Sequence, residues 1–331
     1  MILIGSEHSM TNFTEIPFDD ITKFGQQTML DTDLFSVSWI LGRFCNYQCS
    51  YCWPYANSQT PDHQELEVYK RTIDEIRFQA ASNGFTKFHW SFSGGEPTAY
   101  KHALELMGKV LLDSIHMTTN LSPGLQWWDR WLGTTKSSVR RSVTASFHHE
   151  FADENEFIEK CLYLMKNNVF VTVNQVMVPE HFYQSYERCL RMYEKGINVT
   201  LKPQSNDTAT DIVDGYTDDM IQCMRTGFPQ HIDDRELFQV KLIDSMGNPY
   251  YIDQAERFNS FGFNKFSGWT CNSGYQSVII RGDEVKRSYS CHDDILGTLT
   301  QGFKLFERPR ICITPSCVSS ADSKIPKCKS I

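Results

Sequence analysis

The sequence predicts an α/β protein, a parallel sheet with helices outside it, followed by a smaller α+β region. Between Phe35 and Arg225, short runs rich in β-branched and aromatic residues alternate with longer runs of helical character. Strict alternation of this kind builds a parallel sheet covered by helices. From about Asp234 the rhythm stops, and Gly, Asn, Phe and short polar turns take over.

In chain order, Phe35–Leu41 reads as the first strand and Glu65–Ala81 as a helix. Lys87–Phe92 is a strand running into a Gly-Gly-Glu turn, Ala103–Leu112 a helix, and Ser114–Thr119 a strand. A Trp-rich helix over Leu125–Leu132 leads to a strand over Val139–Phe147. Trp127 and Trp131, four apart, share a helix face and read as packing. Glu154–Lys166, Val169–Val178, His181–Lys195, Val199–Lys202 and Thr217–Arg225 continue the alternation. Six βα units rather than eight predict an open, partial (β/α)6 barrel. In the last third, Phe238–Asp244 and Pro249–Ile252 form a hairpin around Gly247-Asn248, and Val278–Val285 a second around Gly282-Asp283. Leu299–Phe306 reads as helical. The expected organisation is an N-terminal extension (1–34), the partial barrel (35–233) and a small C-terminal domain (234–331).

Composition narrows the function classes. A formal net charge of −8 argues against a protein whose main task is gripping a phosphate backbone. No run of 18 or more apolar residues is present, so no membrane span is expected. Met1–Thr11 lacks the pattern of a signal peptide, which points to the cytoplasm. In such a chain, eleven cysteines point to metal ligation rather than to disulfides. Cys161, Cys189 and Cys223 sit singly in helical runs and read as buried or incidental thiols.

The remaining cysteines form two groups. Cys45, Cys49 and Cys52 share one loop with the spacing C-x3-C-x2-C, and Tyr51 directly precedes the third. Three thiolates can hold three corners of a [4Fe–4S] cube and leave its fourth iron open. A zinc knuckle is the alternative, but the nearest histidine, His63, is poorly spaced for one. About 40 residues on comes Ser93-Gly94-Gly95-Glu96-Pro97. In a parallel barrel, chemistry gathers at the C-terminal strand ends. Both motifs fall there, as do Thr119 and Asn120, Ser146, the run His148-His149-Glu150, Asn174 and Gln175, and Lys202 and Gln204.

On the cysteine loop and the Gly-Gly-Glu-Pro turn, the chain resembles the radical S-adenosylmethionine (radical SAM) superfamily. The resemblance implies that the open iron chelates SAM, and that an electron cleaves SAM to a 5'-deoxyadenosyl radical, which removes a hydrogen atom from a substrate. It also implies an electron donor such as flavodoxin or ferredoxin. Gly94, Gly95 and Glu96 take the role of binding the SAM amino group, and Tyr51 that of lying near the adenine. By strand position, Asn120 and Ser146 are candidates for the ribose hydroxyls or SAM carboxylate. Asn120 reads equally as a turn residue before Ser122-Pro123-Gly124. His148 or Glu150 would sit over SAM or substrate, with at most one of His148 and His149 facing the cavity if the strand continues.

Cys271 and Cys291 flank the second hairpin, and Cys312 and Cys317 follow. This resembles the twitch or SPASM extension of radical SAM enzymes and implies one auxiliary [4Fe–4S] cluster on these four thiols. The spacing from Gly282 to Cys291 and the C-x4-C pair depart from the usual SPASM pattern. Cys328 could replace Cys317, and zinc on the same thiols, with His292, is the rival. Relatives of this form are oxidoreductases or modify peptides, so the expected substrate is a peptide or protein to be crosslinked, epimerised or oxidised. The 44 residues before Cys45 leave no room for a leader-binding winged helix or a B12 domain, which keeps a small-molecule dehydrogenase open. A non-enzymatic electron carrier would leave the Gly-Gly-Glu turn without a ligand, and a nucleic-acid module conflicts with the acidic charge.

Overall fold

The computed structural model describes residues 15–52, 57–207, 211–229, 231, 240–252, 259, 262–291 and 295–329. Strands β2 (Leu34–Ile40), β3 (Lys87–Ser93), β4 (Ser114–Thr119), β5 (Arg140–Phe147), β6 (Phe170–Met177) and β7 (Asn198–Pro203) lie side by side in that order, all parallel. Helices α2 (Leu66–Ser82), α3 (Ala103–Gly108), α4 (Leu125–Thr134), α5 (Glu154–Lys166) and α6 (Phe182–Glu194) connect them, and α7 (Asp218–Thr226) follows β7.

The two faces of this sheet have opposite chemistry, because side chains alternate along a strand. Phe35, Val37, Trp39, Trp90, Phe92, Met117, Val143 and Val173 form one buried cluster with the inward residues of the helices, including Tyr69, Ile73, Leu106 and Phe157. Cys161 and Cys189 belong to this core, as expected of buried thiols. Of the tryptophans, Trp128 and Trp131 are fully buried and Trp127 only partly so. Trp127 nevertheless packs against the same core, as expected, with the i,i+3 pair the more deeply buried. The other sheet face carries Ser36, Ser38, His89, Ser91, His116, Thr118, Thr144, Ser146, Thr172, Asn174 and Thr200, all half-buried. Parallel sheets are usually apolar on both faces, so a polar face marks where a ligand, not a helix, is expected.

The sheet does not stop at β2. Strand β11 (Ser277–Arg281) pairs in parallel with its outer edge. Strands β12 (Glu284–Lys286), β13 (Ile295–Thr298) and β14 (Gly302–Phe303) then extend the sheet antiparallel to ten strands. A second sheet interleaves the two ends of the chain. Its order is β15 (Arg310–Ile311), β10 (Thr270–Cys271), β16 (Lys327–Cys328), β1 (Ile21–Gln26), β8 (Val240–Asp244), β9 (Pro249–Ile252). A short helix, α1 (Gln27–Asp31), joins β1 to β2. Described residues from the two ends of the chain are thus hydrogen-bonded together in one sheet.

Three expectations are corrected here. The stretch Leu299–Phe306 is not helical: Gly302 sits at φ +99°, which favours glycine and ends a helix. Asp283 holds the turn instead, accepting from Thr300 N at 3.1 Å while its carbonyl accepts from Leu299 N at 2.8 Å. The helix expected over Ala103–Leu112 ends at Gly108, and Leu112 has φ +72°. Strand β1 was not expected, because its partners β8 and β16 lie more than two hundred residues away in sequence. The hairpin start at Phe238 and the candidate zinc ligand His292 lie outside the described residues.

Candidate active site

The cysteine loop leaves β2 at Ile40 and is held by side chains that the sequence did not single out. Asp62 accepts from Arg43 N (2.8 Å) and Phe44 N (3.2 Å). Ser58 exchanges backbone bonds with Arg43 and Cys45, Asn57 Nδ2 donates to Tyr47 O (3.0 Å), and Gln59 Nε2 donates to Cys45 O (3.2 Å). Burial pushes all three thiols up, Cys49 to about 12.

The turn after β3 packs directly onto this loop. Gly95 N donates to Gly42 O (2.9 Å) and Glu96 N to Phe44 O (2.8 Å). A Cβ on Gly94, at φ +134°, would lie 2.3 Å from Gly42 O, and one on Gly95 2.2 Å from Phe44 O. Only glycine permits this approach. The Glu96 carboxylate is 1% exposed. It accepts from Thr98 N (2.9 Å), Thr98 Oγ1 (2.6 Å), Thr119 Oγ1 (2.7 Å) and Asn120 N (2.6 Å). Burial pushes its pKa up, against the lowering pull of these donors. The carboxylate therefore ties β3 to β4.

Asn120 behaves as the turn residue that was one of its two readings. Its Oδ1 accepts from Ser122 N (2.9 Å), and its Nδ2 donates to Asn46 Oδ1 (2.9 Å) in the cysteine loop. Ser146 lies one residue before the end of β5, on the polar face, in register with Asn174.

The run after β5 clamps the same loop. His148 Nδ1 is 3.2 Å from Cys49 Sγ and 3.1 Å from Tyr51 Oη. Burial lowers this imidazole to about 4, so it is neutral at pH 7. Glu150 accepts from Ser50 N (2.9 Å) and from its hydroxyl. Tyr51, 9% exposed, stacks on both His148 (5.9 Å) and His149 (5.3 Å). Both histidines reach it because β5 ends at Phe147, so strand alternation no longer separates them.

The C-terminal cysteines gather in the second sheet. Cys271, Cys312 and Cys317 are 3–5% exposed and share one apolar cluster with Phe24, Leu242 and Phe266. Cys291 Sγ is 3.5 Å from Thr314 Oγ1, and Cys312 Sγ donates to Thr314 O at 3.7 Å. Burial pushes Cys317 to about 12. Burial also pushes Cys271 up, but the Lys327 ammonium, the Ser273 donors and Arg287 outweigh it and leave that thiol below its ordinary range. Cys328 pairs with Thr270, and Lys327 with Cys271. Cys328 therefore points to the opposite sheet face from Cys271. Among the described residues, no three His, Cys, Asp or Glu side chains converge on a point that would hold a single metal ion.

Residues 39–222 match the Radical SAM superfamily, and the chain belongs to that family. Its fold is similar to the crystal structure of Streptococcus suis SuiB bound to S-adenosylmethionine. That match has 13% sequence identity and a TM-score of 0.51, and covers 81% of this chain and 64% of SuiB. The chain thus spans just under two thirds of that protein's length. A structure of histidine-tagged anSMEcpe with bound AdoMet is 14% identical, with a TM-score of 0.47, covering 82% of this chain and 76% of that one. No curated protein sequence matches. Membership implies an enzyme that uses a [4Fe–4S] cluster and SAM. The residues fit both: three thiols lie within eight residues for the cluster, and the half-buried polar face of the sheet offers hydrogen-bonding groups for SAM. Among the described residues, no helix is long and apolar enough to cross a membrane.

Proposed function

We propose that Cys45, Cys49 and Cys52 hold a [4Fe–4S] cluster with one open iron, and that the chain modifies a peptide or protein by hydrogen-atom abstraction. The observation that carries this is the docking of the Gly94-Gly95-Glu96 turn onto the cysteine loop. It puts the two motifs within one backbone hydrogen bond of each other. When bound, the cluster and SAM supply reductive cleavage to a 5'-deoxyadenosyl radical. The protein's own part is positional. Gly94 and Gly95 let the turn close onto the backbone of the cysteine loop, Glu96 fixes the turn, and His148 and Glu150 hold the cysteine loop from β5. The half-buried Ser, Thr, His and Asn side chains of the sheet's polar face offer hydrogen bonds to SAM and substrate.

The second part of the reading is a closed auxiliary cluster on Cys271, Cys291, Cys312 and Cys317. It is supported by the burial of three of these thiols in one cluster and by the contacts of Cys291 and Cys312 with Thr314. A closed cluster has no iron free for SAM, so its role would be to take an electron from the substrate radical or to hold this region together. Peptide or protein substrates are favoured by association with twitch and SPASM relatives, and a small-molecule dehydrogenase is the alternative. The test is anaerobic reconstitution followed by dithionite and SAM. Formation of 5'-deoxyadenosine supports the enzyme reading, whereas a reducible cluster that leaves SAM intact would make this an electron carrier. A short open reading frame beside the gene, whose product changes mass on co-expression, would establish the peptide class.

A further inference from the structure

We propose that Lys327 is a built-in counter-cation for the C-terminal thiolates, and that its charge raises the reduction potential of the cluster they hold. This rests on the auxiliary-cluster reading above and goes beyond it by assigning the group that tunes the cluster.

The placement follows from register. Lys327 on β16 is directly opposite Cys271 on β10, so both side chains leave the same sheet face. Cys312, just past the end of β15, packs in one apolar cluster with Cys271. Cys317 packs in the same cluster. Lys327 is 2% exposed, and a fully buried lysine is rare unless its charge is answered.

Among the described residues, the groups that accept hydrogen bonds from Nζ are uncharged. Nζ donates to the carbonyls of Asp322 (2.8 Å), Ser323 (3.2 Å) and Ile325 (2.8 Å), and lies 4.7 Å from the centre of the Phe266 ring. These groups fix the ammonium in place but carry no net charge themselves. The carboxylate of Asp322 is engaged elsewhere, accepting from Ser290 N (2.7 Å) and Ser290 Oγ (2.8 Å). A second buried cation, Arg287, donates Nε–H to Ser273 Oγ at 2.7 Å, two residues from Cys271. The site thus presents fixed positive charge to a group of thiols in an apolar core.

Four thiolates around a cube are anionic, and one-electron reduction adds one further negative charge without a proton. A fixed cation nearby stabilises the reduced form more than the oxidised one, which raises the potential, and burial strengthens the effect.

The experiment is an EPR-monitored redox titration of the full-length, reconstituted protein in which Cys45, Cys49 and Cys52 are alanine. It compares Lys327 with Lys327→Met, Lys327→Gln and Lys327→Arg. The expected result is full C-terminal iron in each, a lower potential in the Met and Gln variants, and a potential near the parent value in the Arg variant. An unchanged potential in fully loaded Lys327→Met overturns the inference alone, and makes Lys327 a packing residue or a partner of Asp322. If the Met and Gln variants take up no iron, loading itself becomes the readout. Iron retained in Lys327→Arg supports the charge role, and iron lost equally in all three overturns it. No C-terminal cluster in the Lys327 parent protein overturns the auxiliary-cluster reading, and this inference with it.

Discussion

On the proposed reading, the two cysteine groups solve opposite problems. The N-terminal three come from one loop at the end of a parallel strand and are braced by polar neighbours: Asp62, Asn57, Gln59, His148 and Glu150. The C-terminal four come from three separate stretches of chain, and three of them are buried in an apolar cluster beside Lys327. A site that must admit a ligand needs its backbone held while one side stays accessible. A site that only passes electrons can be closed, apolar and charge-compensated from within. The first group depends on local spacing and the second on long-range strand register.

The largest expected effect comes from removing the first group. Replacing Cys45, Cys49 and Cys52 with alanine should abolish 5'-deoxyadenosine formation and remove about four irons per chain, the complement of one cube. The C-terminal iron should remain. Substantial SAM cleavage by this protein would break the distinction between the sites. The converse change, Cys312→Ala with Cys317→Ala, should also remove about four irons and lower the thermal stability of the region after Asp234. It should spare part of the SAM cleavage while product formation stops. Zinc in place of iron, by elemental analysis of anaerobically purified protein, would replace the cluster reading of this second site.

A smaller effect tests how the first site is braced. Glu96→Ala leaves two N–H groups and two hydroxyls without their acceptor, and the cost should be roughly 2–5 kcal/mol in urea unfolding. Glu96→Gln, which keeps an acceptor oxygen, should lose less. Equal stability of the alanine variant and the parent would show that the turn is held by its backbone bonds alone.

The smallest effect concerns the polar face. Burial, reinforced by Arg140 and Lys324, lowers His89 to about 4. Burial, with His89 and Lys324, lowers His116 to about 3. In the unfolded chain both titrate near about 6.5. Between these values the unfolded state binds protons that the folded state does not, so stability is full above the unfolded value and falls as pH drops toward about 4. Chemical denaturation of His89→Asn with His116→Gln should show a flatter fall between pH 6.5 and 4 than the parent; an identical slope would mean that these rings are not what couples folding to pH here.

Much of the parallel sheet and the first site could be read directly, because both are local. The strands β2 to β7 announce themselves by short β-rich runs, and C-x3-C-x2-C and Gly-Gly-Glu are contiguous motifs. The braces were not legible. Asp62, Thr98 and Asn46 are ordinary polar residues whose partners are set by how the loops fold. The run at His148 was visible, but its grip on Tyr51 and Ser50 was not, since that depends on where β5 stops. At the two ends of the chain, β1 and β16 are unremarkable as sequence, and only the pairing of β16 with β10 places Lys327 opposite Cys271 and turns Cys328 away. The failed helix at Leu299–Phe306 has a similar cause. Asp283, outside the window, and Gly302, inside it, decide the turn against local helical propensity.

The most direct test of an open first site and a closed second one is whether SAM touches iron at one and not the other. Pulsed EPR with SAM carrying nitrogen-15 in its amino group would be recorded on two reduced proteins. One lacks Cys312 and Cys317, and the other lacks Cys45, Cys49 and Cys52. The open-iron assignment predicts a nitrogen-15 coupling to the cluster in the first protein and none in the second. A coupling in the second protein, or its absence from a fully loaded first one, would contradict it.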